Sequence, residues 1–446
     1  MRCVACCSGW PDVPVHVRVP GRRGGAIVRL RAAIVRLQGP IVHLRSAIAL
    51  LVGTVSAVPA HAQTSTDSSR TETERASLRL ASGSDVTLTM GGYLQVDGRW
   101  VSGALQSQPD GLLLRRARLI VDALMPSGWL VRLQPDFGQG RVLVQDAFVG
   151  RQFPRATVRV GRFRPAYGVE RFQSSAALLH GERSLLNTLM PSRSFGAQAQ
   201  LSRGAVTFAV GGFRTPIGSD LQLVDTDGDV ESVDGSGHDL LARVAWSRRR
   251  GPRYLEGQAA VLDGRERGEA DATGLTRVLT VGQQPLLAFR SDGSGAGTAV
   301  AAGARRRWSA GGVLGNARSM LGLEGALTQQ AVRLGAAERS VHMGAATWRV
   351  AHLFGGTRRA TQEVQPMAPH GAFDLGARLS VLGVWGDSLQ TVITRRSVTH
   401  AASGGLAIAW IPTVQTRLSL AYDLTLVSPT RTVREHALLL RVQQGF

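Results

Sequence analysis

The 446-residue sequence contains no lysine, and its three cysteines, Cys3, Cys6 and Cys7, all fall within the first seven residues. Beyond that point no disulfide framework or thiolate metal site can form. No run of 18 apolar residues occurs after residue 62, which excludes a helical membrane protein. Aromatic residues make up only 5% of the chain, too few for a lumen of stacked rings of the kind that would guide sugars. The ten histidines, His180, His238, His342, His352, His370 and His400 among them, form no HExxH, HxS or acid-paired cluster. No catalytic centre, metal site or cofactor is therefore expected. What is present is arginine: 52 arginines against 32 acidic residues give the chain a formal net charge of +20. A GC-rich genome explains most of the missing lysine, yet the consequence holds whatever the cause. Every fixed cation is a planar guanidinium that stays charged at ordinary pH and offers a fork of donors to oxyanions.

The first 62 residues read as a leader. Arg45 precedes an apolar run from Ala47 to Val58, and small residues end in Ala60-His61-Ala62, the order of a secretory signal with an A-x-A cleavage site. A membrane-spanning helix would need about 20 apolar residues, more than this run supplies. We expect the mature chain to begin near Gln63. Residues 1–41 make an unusually long Arg-rich n-region, and no Met lies between Met1 and Met90, so we expect translation to start later, at a non-ATG codon near Val42. Removing residues 1–62 takes away eight Arg and one Asp, leaving +13. Such charge often marks nucleic-acid binding. An export signal, and no basic helix, zinc or aromatic-RNP motif, argue against nucleic acid here.

Residues 63–85 are rich in Ser, Thr and charge and read as a flexible lead-in. From residue 86 to 446 short stretches alternate apolar with polar or small side chains between Gly, Pro, Asp and Ser clusters, the signature of transmembrane barrel strands. In 115–124 Ala117, Leu119, Val121 and Ala123 point one way and Arg116, Arg118, Ile120 and Asp122 the other. In 129–137 Val131 and Leu133 oppose Arg132, Gln134 and Asp136; in 372–382 Phe373, Leu375, Ala377 and Leu379 oppose Asp374, Gly376, Arg378 and Ser380. Other candidates are 86–101, 142–152, 156–163, 195–201, 206–213, 239–246, 254–261, 276–282, 299–310, 320–332, 341–351, 388–394, 405–411, 416–426 and 436–446. These eighteen exceed what we expect to be real, because 262–318 is poorly patterned. The predicted fold is all-β, a transmembrane antiparallel β-barrel of 16 strands. Trp100, Trp129, Trp246, Trp308, Trp348 and Trp410 are candidates for interface girdles or ordinary strand packing. The runs Arg248-Arg249-Arg250 and Arg305-Arg306-Arg307 read as interface or surface charge near turns. In the last strand Leu438, Leu440, Val442 and Phe446 share a face opposite Leu439, Arg441 and Gln443. A final aromatic there fits recognition by barrel-insertion machinery.

Several segments, in order and spacing, resemble the phosphate-selective porin O and P family. They are GGYLQVDGRW from Gly91, LRRARL from Leu114, QDAFVG from Gln145 and GRFRPAYGVE from Gly161. Then come Ser174-Ser175, GERSL from Gly181 and SRSFGAQ from Ser192, and near the end GAFDLGARLSVL, Trp410-x-Pro412 and ALLLRVQQGF. The resemblance implies a trimeric 16-stranded porin of the Gram-negative outer membrane, narrowed by inward-folded loops and passing phosphate or polyphosphate. It implies constriction roles for Arg115 and Arg116, a cation at Arg171 where relatives carry a phosphate-binding lysine, hydroxyls at Ser174 and Ser175, a further cation at Arg183, and an acid among them at Asp146. The 30-residue stretch 164–193, with Pro165 and Gly168, is too long for an idle connection and either protrudes or folds inward; the resemblance makes it the expected constriction loop. Strict alternation sends one of Arg115 and Arg116 outward, so Arg115 is expected at a rim or bent inward. Ser174 and Ser175 could equally be turn residues. The expected partners are phosphate or other small anions, outer-membrane lipid, two further copies of the chain, and the insertion machinery at Phe446. A general or nutrient-specific porin without phosphate selectivity is the alternative.

Overall fold

A computed structural model describes residues 77–82, 86–103, 110–140, 142–214, 236–359, 363–395, 397–428 and 433–446. The expected leader, 1–62, lies outside the described residues.

Sixteen antiparallel strands form the wall: β1 Thr87–Gly103, β2 Gly111–Leu124, β3 Trp129–Asp136, β4 Leu143–Gln152, β5 Ala156–Phe163, β6 Ser194–Arg203, β7 Val206–Arg214 and β8 Ser236–Arg250. The second half is β9 Arg253–Arg267, β10 Val300–Gly315, β11 Ser319–Leu334, β12 Ala337–Phe354, β13 Ala372–Trp385, β14 His400–Ile411, β15 Thr416–Ser428 and β16 Val433–Gly445. Each pairs with its sequence neighbours, and β1 closes the ring on β16 from Tyr93↔Gly445 to Gly103↔Glu435. Closure leaves no unpaired edge along the wall, which is what a sheet in lipid requires. Within the expected lead-in, Ser77–Ser82 forms a short strand on the start of β1.

The alternation read from the sequence sets the two faces. Leu94, Val131, Leu133, Val160, Leu379 and Leu406 stand exposed on the outside, while Arg116, Arg118, Arg132, Asp136, Arg378 and Arg441 are buried within. Five of the six girdle candidates, all but the half-buried Trp246, are exposed on the outer face. Trp129 and Trp410 sit at strand ends, but Trp308 lies mid-strand in β10. The Arg305–Arg307 run departs from its expected surface role. Arg305 and Arg307 turn inward to Asp239 at 2.9 and 3.4 Å, and only Arg306 faces out, paired with Asp263.

Most turns at the end holding Phe446 are short, at 125–128, 153–155, 204–205, 251–252 and 316–318, which marks that end as periplasmic. Phe446 adds one more rung there, exchanging backbone hydrogen bonds with Gly92 at 3.0 and 3.1 Å. Gly92 is required, since a Cβ at that position would lie 2.7 Å from the Phe446 ring.

Two of the eighteen candidate strands are not wall. Residues 276–282 supply only Val278–Leu279 of a small hairpin with Pro285–Leu287, and 388–394 form the single helical turn Leu389–Val392. Both belong to connections folded into the lumen, where Val278, Val281, Leu286, Val392 and Ile393 join Leu185, Leu186 and Leu189 from 164–193 in one buried apolar cluster. Their apolar character reflects this internal core, a burial that periodicity does not separate from a strand's.

Candidate functional site: the inward loop and its arginines

The loop 164–193, between β5 and β6, crosses the lumen and meets the far wall. Glu324 of β11 accepts the Val169 and Glu170 N–H groups at 2.6 and 2.8 Å, and Arg349 of β12 donates to Gln173 at 2.9 Å. Gln95 of β1 donates to the Ser175 carbonyl at 3.2 Å. At the loop tip three wall arginines donate to backbone carbonyls: Arg417 to Leu178 at 3.3 Å, Arg441 to Gly181 at 2.7 Å and Arg378 to Glu182 at 2.7 Å. Two of these are fixed from behind by carboxylates, Arg441 by both oxygens of Asp97 at 2.7 and 2.6 Å and Arg378 by Asp423 at 3.0 and 3.1 Å. Leu179 packs where Gly376 leaves room, since a Cβ on Gly376 would approach its side chain to 2.5 Å.

The expected site residues divide into three groups. Arg115, Arg116 and Ser175 lie together beside the loop tip. A register shift between Gln95 and Val96 pairs Gln95 with Arg116 and Val96 with Leu114, leaving Arg115 as a bulge residue. The extra residue breaks the alternation, so both arginines point inward. Arg115 forms an ion pair with Glu182 at 2.7 Å, and Arg116 donates to the Gln95 side-chain amide oxygen at 2.8 Å. Arg118 reaches Asp136 at 2.7 Å, Tyr93 at 2.9 Å and the Ser175 hydroxyl at 3.3 Å.

Arg171, Ser174 and Arg183 shape the loop itself. Arg171 donates to the Pro191 carbonyl at 3.2 Å and the Asn187 side chain at 3.4 Å, and Ser174 caps the 3₁₀ turn Ser175–Ala177 through the Ala176 N–H at 3.2 Å. Arg183 donates to the carbonyls of Glu170 and, at 2.7 Å, Gln173. Asp146 stands apart, paired with Arg193 at 2.7 Å.

Charge on the loop is fixed by these neighbours. Burial would raise the Glu182 carboxyl, but Arg115, Arg116 and Arg441 outweigh it and hold the group well below the usual carboxylate range. Burial likewise opposes Glu170, and Arg349, Arg378 and Arg183 with the Ser184 hydroxyl lower it. His180 is kept neutral by burial first and by Arg378 and Arg349 next.

Sequence reasoning assigned no role to Arg99, Glu182 or Arg417. Arg99 is buried on the inner face of β1 near Asp97, Glu182, Arg115 and Arg441, and its guanidinium makes no hydrogen bond to the described residues. Its place on the inner face, two residues from Asp97, was legible from alternation. That it makes no hydrogen bond to the described residues was not, because the neighbouring charges come from β2, β16 and the loop.

A closed barrel with an apolar exterior, a polar interior and an arginine-anchored loop across its lumen defines an outer-membrane porin. The chain belongs to the phosphate-selective porin O and P family, whose model matches residues 89–424. Its place is the outer membrane of a Gram-negative cell. No curated protein matches the sequence. Among solved structures, the outer-membrane channel DcaP of Acinetobacter baumannii is similar at 9% identity and a TM-score of 0.55, over 82% of this chain and 99% of that one. OmpT of Vibrio cholerae is similar at 9% identity and a TM-score of 0.50, over 82% and 99%. At such identities the likeness is one of fold.

Proposed function

We propose that this porin is an anion-preferring diffusion channel, with phosphate the anion to which family membership points, and that it works as a homotrimer. The observation that carries the reading is the charge balance beside the loop tip, where Arg99, Arg115 and Arg441 face two carboxylates, Asp97 and Glu182. The wider interior supports the same sign. Among the described residues sixteen arginines and twelve carboxylates are buried, so most cations are matched and a modest positive excess remains. A pore must release what it binds, and near-balance suits conduction better than a deep cationic well.

Under this reading Arg99, with Arg115 and Arg116 behind it, meets the passing anion, whereas Arg171, Ser174 and Arg183 act by holding the loop. Asp146 tunes the field at Arg193. In planar bilayers under a KCl gradient, the reversal potential is expected on the anion side and to move toward zero in Arg99→Gln. A cation-selective wild-type channel would sink the proposal. Millimolar phosphate is expected to reduce the chloride current, and the reduction is expected to weaken in Arg99→Gln; no reduction in the wild type removes phosphate and leaves a general anion porin.

A further inference from the structure

The outside of the barrel carries a trough of about 1080 Å³ that the channel function does not use. It follows one row of register partners, Leu321, Val350, Ala377, Leu406, Tyr422 and Leu438, across β11 to β16. The row shares its course with Gly376 and Ala407, and these small residues lie where the loop tip is gripped from the lumen side. A register row runs perpendicular to the strands, and the strands tilt by roughly 35–45° from the membrane normal. The trough therefore climbs obliquely, from Tyr254 beside the periplasmic start of β9 to Leu438 well inside β16.

Its two ends differ in chemistry. Along most of its length the walls are exposed leucine, isoleucine and valine. The periplasmic end is polar: Arg253, Asn316, Ser319 and His352 line it, the Ser319 hydroxyl lies 2.8 Å from His352 Nδ1, and Asn316 spends its carbonyl oxygen on the Arg318 and Ser319 N–H groups. Arg250 is the register partner of Arg253, and Arg318 occupies the next turn. All three arginines are exposed, and none forms an ion pair among the described residues. Exposed guanidinium groups at a membrane rim, next to an apolar channel of molecular width, match a phosphate head with attached acyl chains.

We propose that this trough is a binding site for one glycerophospholipid of the periplasmic leaflet, its phosphate held at Arg253 with Arg250 and Arg318 nearby and its acyl chains lying along the Leu321–Leu438 row. The position of the cations selects the leaflet. A lipid of the outer leaflet would place its head at the opposite end of the wall, and a second copy of the chain would cover the apolar row while leaving the rim arginines without counter-charge.

The test uses full-length mature protein refolded free of lipid in mild detergent and titrated with phosphatidylglycerol, with retention read by native mass spectrometry. One tightly retained lipid per chain is expected. Ala377→Trp, which fills the trough, and Arg253→Glu, which reverses the head charge, are each expected to lower retention at least tenfold, while Val149→Trp on the outer face of β4 leaves it unchanged. Heat-modifiable migration confirms that each variant is folded, and Arg253→Glu carries the test alone if Ala377→Trp does not fold. Equal retention in wild type and the trough variants overturns the proposal. So does a change of oligomeric state in Ala377→Trp without loss of lipid, which assigns the trough to an interface between copies.

Discussion

Two segments fold into the same lumen and differ in how they reach the wall. The loop 164–193 lends Leu185, Leu186 and Leu189 to the shared apolar cluster, but its tip is held by charge: wall arginines reach its carbonyls, and its Glu182 reaches Arg115. The segment 268–299 is held by apolar burial together with 386–395 and 397–399. Backbone bonds link Arg290 to Val392, Thr394 to Ala288 and Val398 to Leu286 at 2.8 to 2.9 Å. It reaches across to β16 at Glu435, which accepts from the Thr280 hydroxyl at 2.8 Å and the Gly282 N–H at 3.3 Å. A charged clamp fixes position finely because each guanidinium fork has a defined geometry. An apolar seal excludes water and solute without such directionality. The first arrangement suits a constriction that must keep its dimensions, and the second suits a cover.

Removing the cover should have the largest effect. Replacing 276–293 by a short Gly-Ser turn is expected to raise single-channel conductance severalfold in planar bilayers while the reversal potential keeps its sign. Unchanged conductance would mean that ions bypass this segment, and the contrast between clamp and cover would fail. A smaller effect is expected from the clamp. Arg441→Ala leaves Asp97 buried without its partner, which typically costs about 3–5 kcal/mol, and should lower the urea midpoint of the refolded barrel and broaden the conductance distribution. A clean, wild-type-like conductance would show that Arg441 stabilises the wall and leaves the loop tip in place.

The smallest effect is acid dependence. Because the folded-state Glu182 carboxyl is depressed, its stabilising contribution is fully present above the unfolded value of about 4.3 and is lost only as pH falls through the lower folded value. The part of the loop's conductance noise that depends on Glu182 is therefore expected to stay flat from pH 7 to about pH 4 and to rise in stronger acid. Glu182→Gln is expected to abolish that acid-dependent rise. A rise already near pH 6 in the wild type would place the titrating group elsewhere.

How far the sequence carried is clearest in particular elements. β5 was read to the residue, and β2, β3, β13 and β16 were assigned the correct inner and outer faces, because a strand with lipid on one side and polar lumen on the other writes a period of two into its own residues. The eighteen candidates include 276–282, within the poorly patterned 262–318, and 388–394; neither is wall, since a segment buried in an internal core is also apolar. Arg115 was left between rim and lumen because a bulge depends on what the neighbouring strand does. The family resemblance brought forward Arg171, Ser174 and Arg183 and passed over Arg99 and Arg417.

The sequence by itself determined the all-β membrane class and the inner and outer faces of β2, β3, β13 and β16, because both follow from local periodicity and composition. Sixteen strands rested on chain length and the family resemblance, and the inward fold of 164–193 on the resemblance, until ring closure and the loop's wall contacts decided both. Only the tertiary structure decided which arginines are spent. Asp97 and Arg441 are adjacent because the ring closes, and Arg115 meets Glu182 because a loop crosses the lumen. Whether a guanidinium can meet a passing anion depends on the company it keeps in space, and that company comes from strands hundreds of residues apart.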